Sequence, residues 1–286
     1  MTIELAADRY GKSAIRLVKI VRDGARHAVR DLTVDIALEG GFSRAYTDDD
    51  NTGVVATDTM KNTVYALAHE HLTSSIERFA LALADHHIQP EQVASARVTI
   101  GEHPWSRMPT ANGPADDAFL RSGSLTRTCR VTAILDRIAV AAGIEDLIVM
   151  KTARSAFSGF PRDQWTTLPE TDDRIMATKM TVDWVYRPST AADDTFDYDA
   201  SFDGIKATLL DSFTTHHSAS VQASIWIMAK AVLEQHPAVD EVHMQLPNLH
   251  HWLVDLSPFG QTNDREIFVA TTQPHGLIEA TVRRGD

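Results

Sequence analysis

The chain has 286 residues, of which 43% are hydrophobic and 23% charged, and its formal net charge is −12. This composition is typical of a soluble globular protein and excludes disordered, collagen-like and coiled-coil chains. Because the basic residues are scattered among a larger number of acids, it also argues against a nucleic-acid binder and favours a small-molecule partner.

The cysteine count and the apolar stretches indicate the compartment. Cys129 is the only cysteine, so one chain cannot build a disulfide framework or a Cys-based zinc site. The longest apolar stretch, residues 138–144, is far too short to span a membrane, and the chain does not begin like a secretory signal peptide. We therefore expect a cytoplasmic protein with no membrane partner.

The chain opens with a pattern that predicts a β-hairpin. Residues 14–21 are followed by the turn residues Asp23 and Gly24, and residues 32–38 then alternate between apolar and polar. The spacing predicts an antiparallel pair of strands joined by a loop longer than two residues.

Two segments further along show helical spacing. Each places four apolar side chains on one face, in steps of four, three and four residues: Leu72, Ile76, Phe79 and Leu83 in the first, and Val221, Ile225, Met228 and Val232 in the second. Ser74 and Glu77 predict a capping box at the first helix, and a serine in residues 218–220 is expected to cap the second.

Each predicted helix is followed by a polar turn and an alternating strand, residues 96–100 or 242–246. We expect each strand to end three or four residues before a histidine, His103 or His250. This shared order predicts an internal duplication, with residues 1–138 and 139–286 as two α+β halves whose helices cover one face of an antiparallel sheet. Residues 106–124, rich in proline and glycine, are expected to form the loop at the seam.

The sequence does not contain the common cofactor motifs. There are 13 histidines, but no His-Glu-x-x-His, no spaced cysteine pair and no glycine-rich phosphate loop. We therefore predict no metal and no nucleotide cofactor. The residues by themselves indicate a two-fold repeated α+β protein that binds a small ligand.

Four blocks of local sequence go further. Residues 10–12 (YGK), 56–65 (ATDTMKNTVY), 147–152 (LIVMKT) and 246–250 (LPNLH) occur in the order and with the residues typical of urate oxidases. The third block continues with Ser155, Phe157, Phe160, Leu168 and Arg174 at the spacing of that family's signature. The chain thus resembles the urate oxidase, or uricase, family of the bacterial type. Ala153 and Trp165 depart from the common pattern, at positions not expected to touch substrate.

The resemblance implies a fold and a reaction. The fold would be the tunnelling fold, in which pairs of chains close a barrel and two barrels stack into a homotetramer, with sites between chains. The partners would be urate and O2. The reaction would oxidise urate with O2 and water to 5-hydroxyisourate and hydrogen peroxide, a step of purine degradation, with no cofactor.

The resemblance also implies roles for named residues. A proton relay would consist of Lys12, Thr57 and His250. Substrate contacts would come from Thr57, Asp58, Phe157, Arg174, Val221, Gln222 and Asn248, with Asp58 and Val221 contributing backbone N–H groups.

Elementary chemistry is compatible with these roles but does not require them. Phe157 offers a stacking face to a flat purine, or is simply a core aromatic. Arg174 offers a rigid fork for an anion, or forms a surface salt bridge with a neighbouring acid in residues 170–173. Gln222 offers an amide at a helix start, where N–H groups favour anions, or is one more polar helix residue.

Two other functions remain open from the sequence. One is a zinc-dependent enzyme of the same fold that acts on pterin or folate precursors. The other is a purine-binding protein without catalytic activity.

Overall fold

Antiparallel strands and packed helices form two compact units, in the computed structural model that describes residues 2–121 and 123–285. Unit 1 contains the residues up to Gly143 together with Val185–Phe202, and unit 2 contains Ile144–Trp184 and the residues from Asp203 onwards. The expected α+β class is confirmed, whereas the division between residues 138 and 139 stays a prediction. No helix in the described residues is long and apolar enough to cross a membrane.

Unit 1 is built on neighbouring strands in the order β1, β2, β3, β6 and β7, of which the first four pair antiparallel. The strands are β1 (Tyr10–Asp23), β2 (Arg26–Gly40), β3 (Val93–Glu102), β4 (Ser106–Thr110), β5 (Gly113–Leu120), β6 (Thr126–Ile134) and β7 (Arg137–Lys151). The helices are α1 (Ser43–Thr47), α2 (Thr57–His71), α3 (Ile76–Ile88) and α4 (Pro188–Ala191).

The alternation in the sequence explains the core of unit 1. Leu32, Val34, Ile36 and Leu38 are all at most 1% exposed, because alternate residues of β2 point to the same side of the sheet. Helix α3 packs against β3 and β6 and buries Phe79 completely. Full burial of one such side chain stabilises the fold by about 1.5–3 kcal/mol.

The predicted first helix is only partly right. Leu72 follows the end of α2, and α3 begins at Ile76, so the apolar pattern runs across a break between two helices, although both residues are buried. The cap is Ser75, whose side chain accepts a hydrogen bond from the backbone N–H of Arg78. The predicted capping box of Ser74 and Glu77 is therefore wrong.

Two predicted loops are strands instead. The β1–β2 connection has only two residues, because Asp23 already pairs with Arg26. The sequence pattern missed this pairing because exposed strand ends pair through their backbones and need no alternating apolar residues. Residues 106–124 contain the hairpin of β4 and β5, inside unit 1, rather than a loop at a seam. Pro109 pairs opposite Pro114 in this ribbon, a position that a two-stranded, largely exposed edge tolerates.

Unit 2 repeats this arrangement of strands and helices, with neighbouring strands in the order β7, β8 (Met176–Tyr186) and β9 (Val239–Leu253). Strands β7 and β8 each contain residues of both units. The remaining elements are α5 (Tyr198–Thr215), α6 (Val221–Gln235), β10 (Phe268–Thr271) and β11 (Leu277–Arg283), after a short 3-10 turn at Ser257–Phe259. Both β10 and β11 pair antiparallel with β9, and α6 packs on β9 and β11.

The second predicted helix is confirmed, including its cap. The hydroxyl of Ser220 accepts a hydrogen bond from the backbone N–H of Ala223. Strand β9 does not end before His250, however. It continues to Leu253, because β10 supplies backbone partners that the apolar pattern does not reveal, and His250 pairs with Thr271.

Corresponding contacts recur in the two units and support the duplication. The Lys19 ammonium of unit 1 donates to the carbonyl oxygens of Ala68 (2.8 Å) and His69 (3.0 Å) at the end of α2. In unit 2, the Lys151 ammonium donates to those of Phe213 (3.0 Å) and His216 (2.7 Å) at the end of α5. Cations at this place offset the partial negative charge of a helix C-terminus.

A hydroxyl–imidazole pair joins the two main helices in each unit. Thr63 Oγ1 lies 3.1 Å from His87 Nε2 in unit 1, and Thr208 Oγ1 lies 2.9 Å from His236 Nε2 in unit 2. The two halves therefore share polar contacts as well as element order.

The interior of unit 1 contains a charged cluster. Glu77 is completely buried, and its carboxylate accepts a hydrogen bond of 2.7 Å from Arg127, which also donates to Asp199 at 2.5 Å and lies 4.5 Å from the ring centroid of Phe202. Burial raises the pKa of Glu77 to about 6, against the opposing charge of Arg127. Between the pKa of Glu77 in the unfolded chain and its higher pKa in the native state, the native state therefore binds more protons at this carboxyl. When Glu77 is charged, its burial depends on the opposite charge of Arg127.

We expect Arg127→Met to lower the free energy of unfolding by about 3–5 kcal/mol at pH 8, because Glu77 is then a buried charge without a partner. At pH 5 the loss should be smaller, since Glu77 is then largely protonated and neutral. Urea unfolding at the two pH values measures both effects. Arg130→Met, on the exposed side of the same strand, is the control and should change stability by less than about 0.5 kcal/mol. An equal loss at both pH values would contradict this role of Arg127.

Candidate functional site

A cavity of about 420 Å³ in unit 2 brings together Phe157, Arg174, Asn248 and His250. Its size falls in the range of small-molecule sites, and its walls combine aromatic and apolar groups with a few polar ones. Four residues that are up to 93 positions apart in sequence thus meet around one space.

Backbone pairing fixes the first wall of this cavity. Residue Ser155 is the centre: its carbonyl oxygen accepts the N–H of Arg174 (2.7 Å), and it bridges to Ser218. Phe157 in turn exchanges two backbone hydrogen bonds with Thr171, of 2.8 and 3.0 Å. The ring of Phe157 and the guanidinium of Arg174 are therefore held by a small irregular sheet.

Strand β9 supplies the opposite wall. Asn248 and His250 are two residues apart on a strand, so their side chains share a face, and Asn248 Nδ2 lies 3.4 Å from His250 Nδ1. The His250 ring stacks on that of Trp252, with centroids 5.1 Å apart. This stack limits the orientations available to the imidazole.

Arg174 is a partly buried cation without an acidic partner. Among the described residues no carboxylate forms a salt bridge with it, and its Nε is buried without a hydrogen-bond acceptor. Asp173 instead pairs with Arg265 (3.5 Å), and Glu170 accepts the N–H of Gly159. Burial alone lowers the pKa of Arg174. A neighbouring acid thus does not neutralise this charge, and the arrangement favours an anionic ligand.

Phe157 is half-buried rather than part of the core. Its ring stacks on Phe160, with centroids 4.9 Å apart and planes inclined by 14°, and the Arg174 Cζ lies 5.2 Å from its centroid. An aromatic face and a planar cation therefore lie next to each other, an arrangement suited to a flat anion.

The imidazole of His250 is held in its neutral form at neutral pH. Burial lowers its pKa below the usual value, and the charges of Arg174, His275 and His251 lower it further. A neutral imidazole has one nitrogen free to accept a proton, so His250 can act as a base.

Val221 and Gln222 begin helix α6, which is joined to the first wall through Ser218. Val221 is buried and Gln222 is exposed, and neither lines the cavity as defined above. Because Ser220 caps the N–H of Ala223, the first backbone donors of the helix are left for a ligand or solvent.

The other predicted residues belong to unit 1. Lys12 lies on β1 and Thr57 is the first residue of α2, after the N-cap Ala56, so Thr57 is not a cap itself. In the part of the chain that the structure describes, neither side chain forms a hydrogen bond or salt bridge. Asp58 is exposed and bonded to Lys61 and Asn62. The hydrogen bond from Lys61 is the main cause of its lowered pKa, to which the charge of Lys12 also contributes.

The Tyr10–Gly11–Lys12 block has a structural explanation. The Tyr10 hydroxyl accepts the N–H of Val55 (2.8 Å) and so anchors the loop that leads to Thr57. A side chain at Gly11 would place its Cβ 1.8 Å from the carbonyl oxygen of Ile36, so only glycine fits. A register shift follows Lys12 in β1, and such bulges redirect side chains.

Several residues of the cavity were missed by the sequence analysis. His251, Trp252, Leu253, Arg265 and Phe268 also line it. The two-residue spacing of His250 and Trp252 was a usable signal, but only once the strand is known to extend to Leu253.

The described residues contain no group of three or more His, Cys, Asp or Glu side chains placed to hold a metal ion. That no metal takes part in the reaction stays a prediction.

Comparisons with known proteins agree on one family. The model of the family described as uricase matches residues 8–132 and 140–279. The uricase of Arthrobacter globiformis is 43% identical over 283 residues, covering 99% of this chain and 90% of that protein. The uricase of Dictyostelium discoideum is 36% identical over 284 residues, covering 98% and 97%.

Solved structures give the same result. The crystal structure of uricase from Arthrobacter globiformis matches with a TM-score of 0.93 and covers 99% of this chain and 96% of its own. A urate oxidase from Bacillus sp. TB-90 matches with a TM-score of 0.84 at 20% identity, over 97% of this chain and 100% of its own, which supports the fold alone.

We expect Arg174→Met to raise the pKa of His250 towards its usual value, because one of the positive charges that lower it is removed. Diethyl pyrocarbonate modifies neutral imidazole, so the pH dependence of modification at His250, followed by peptide mass spectrometry, reports this pKa. Arg162→Met, which removes an exposed arginine elsewhere in unit 2, is the control. If both variants titrate like the parent, Arg174 does not act on His250.

Proposed function

The chain belongs to the uricase family and catalyses the oxidation of urate, and we propose that it does so at sites formed between two copies of the chain. The main observation in favour of this site is that Arg174, which has no salt-bridge partner among the described residues, lies beside Phe157 in a cavity that Asn248 and His250 also line. This family assignment does not support the alternatives of a zinc-dependent pterin enzyme and a purine-binding protein without activity.

In the proposed complex, the first wall and the start of helix α6 bind different parts of urate. The flat purine contacts the ring of Phe157, while the guanidinium of Arg174 donates two parallel hydrogen bonds to adjacent acceptors on its edge. The Gln222 amide, which can donate and accept, binds a further edge, assisted by the backbone N–H of Val221. These contacts stabilise an anion, which is the form in which urate is reactive.

The proton steps are assigned to Lys12, Thr57 and His250. Urate loses a proton to form its dianion, and two electrons then pass from the ring to O2, which takes up two protons and leaves as hydrogen peroxide. Water adds its oxygen to ring carbon 5, keeps one hydrogen in the new hydroxyl and releases the other as a proton, giving 5-hydroxyisourate as its anion. A neutral His250 and the Lys12 ammonium, joined through the Thr57 hydroxyl, can accept and return these protons. Asn248, with Thr57, holds the dioxygen or water above the ring.

The division of residues supports a site between chains. Lys12, Thr57 and Asp58 belong to unit 1, and the others belong to unit 2. We propose that unit 1 of one chain meets unit 2 of another in a barrel, and that two barrels stack into a homotetramer. Both units leave large apolar side chains exposed on their strands, including Val18 (57%) and Ile148 (60%), which a partner would cover.

We also propose the cytoplasm as the location, since the single cysteine, Cys129, is free and buried.

The direct test of the function is an assay without metal. Exhaustively chelated protein should consume urate, seen as loss of its ultraviolet absorbance, and should produce equimolar hydrogen peroxide. Elemental analysis should find no stoichiometric transition metal. Activity lost on chelation and restored by zinc or copper would contradict a cofactor-free reaction, and urate binding without peroxide would contradict catalysis.

The site between chains is tested by complementation. Lys12→Met should abolish most turnover but leave urate binding nearly intact, whereas Arg174→Ala should lose binding. When the two variants are co-folded at equal amounts, half of the pairs are mixed and one of their two sites inherits neither change. About one quarter of the parent activity should therefore return.

Mixed assemblies can be verified by two different affinity tags. If tagged mixed assemblies are as inactive as either variant alone, Lys12 and Arg174 act within one chain and the proposed arrangement is wrong.

A further inference from the structure

We propose that His216, acting through the hydroxyls of Ser224 and Ser218, is a positioning residue that sets the start of helix α6 relative to the Phe157–Arg174 wall. This inference rests on the proposed function and names residues outside the binding and relay sets. Its physical basis is a buried polar network in unit 2.

The loop between α5 and α6 is joined directly to the first wall. The N–H of Ser218 donates to the carbonyl oxygen of Arg154 (2.9 Å), and the carbonyl oxygen of Ser218 accepts the N–H of Ala156 (2.7 Å). The backbone of Ser155, enclosed by these two bonds, also binds the N–H of Arg174. A shift of Ser218 therefore moves the loop relative to both Phe157 and Arg174.

Side chains then connect Ser218 to the first turn of α6. Ser218 and Ser224 are completely buried, and their hydroxyl oxygens are 2.7 Å apart. The Ser218 hydroxyl lies 3.0 Å from the carbonyl oxygen of Ser220, to which it can donate, and Ser224 Oγ lies 3.2 Å from the same oxygen. Ser220 is the N-cap of α6, so the two hydroxyls bind the residue immediately before Val221 and Gln222.

His216 fixes the far end of this network. Its Nδ1 lies 2.5 Å from the carbonyl oxygen of Ser212 in the last turn of α5, and its Nε2 lies 2.8 Å from Ser224 Oγ. A carbonyl oxygen only accepts, so Nδ1 carries the proton, and in the neutral ring Nε2 accepts from Ser224. The imidazole thus links the end of α5 to the first turn of α6 through one defined tautomer.

Lys151 holds the histidine from the other side. Its ammonium donates to the carbonyl oxygens of His216 (2.7 Å) and Phe213 (3.0 Å), and it is itself buried. Strand β7 thereby anchors the loop. The network thus runs from Lys151 at the end of β7 to the N-cap of α6. Small displacements there change the direction of the Val221 N–H and of the Gln222 side chain, and misplacement of a binding group lowers affinity.

The test is a double-mutant cycle on urate binding, measured by equilibrium dialysis under exclusion of O2. Ser224→Ala removes one hydroxyl without adding volume and should weaken urate binding about five- to tenfold. In a Gln222→Ala background the same change should have a smaller effect, because the part that acts through the Gln222 side chain is already lost and only the part that acts through the Val221 N–H is left. His216→Gln, which keeps a donor and an acceptor, should bind urate more tightly than His216→Leu.

The matched control is Thr208→Val. It breaks the hydroxyl–imidazole bond between Thr208 and His236, which joins the same two helices at the other end of α6. It should lower the thermal midpoint as much as Ser224→Ala does, yet leave the Kd for urate within about twofold.

Three outcomes would overturn the inference: an unchanged Kd in Ser224→Ala, equal effects of Ser224→Ala in both Gln222 backgrounds, or an equal loss of binding in Thr208→Val. If Ser224→Ala does not fold, the His216→Gln and His216→Leu pair decides, and equal Kd values for the two would overturn it. A parent protein that neither binds nor oxidises urate would refute the proposed function itself.

Discussion

The feature on which the site depends is a positive charge that the protein leaves uncompensated. In a chain of net charge −12, with three acidic residues in positions 170–173, Arg174 forms no salt bridge among the described residues. Keeping a partly buried cation without a counter-ion destabilises the folded state, and the surrounding backbone bonds at Ser155 and Thr171 hold it in place despite this. The pKa of His250 is lowered mainly by burial and further by this same charge, so in the proposed site one residue would attract an anion and also favour the basic form of the nearby imidazole.

The duplicated halves use similar local sequence for different purposes. A His-x-Trp pattern lies near the end of the third main strand in each, at His103 and Trp105 in unit 1 and at His250 and Trp252 in unit 2. In unit 1 both side chains have hydrogen-bond partners within the unit: His103 bonds to Thr33 (2.9 Å), and Trp105 donates to Asp31 (3.0 Å). In unit 2 they line a cavity. The same pattern thus belongs to the internal structure in unit 1 and to the candidate site in unit 2.

Apolar periodicity predicted the elements that bury one face, and it failed where burial does not set the structure. It could not locate the break between α2 and α3, because Leu72, the C-cap of α2, and Ile76, the first residue of α3, are both buried. It missed the β4–β5 ribbon and the last residues of β9, which are held by backbone pairing rather than by a core. The candidate site residues were predicted from the family resemblance. Chemistry alone could not exclude a salt bridge at Arg174, since its absence depends on Arg265, 91 positions away, which binds Asp173 instead.

The groups without partners also bear on the proposal that the site is divided between two chains. Among the described residues, the side chains of Lys12 and Thr57 form no hydrogen bond or salt bridge, and Arg174 forms no salt bridge. Substitutions that supplied a partner to each of them would stabilise the monomer. A chain optimised in that way would have no charge left to hold an anion and no free amine to move a proton. In the proposed assembly, a partner chain and substrate would satisfy these groups after folding, so the stability given up in each unit would become a driving force for assembly and binding. The proposal thus links folding, assembly and catalysis through the same few polar side chains.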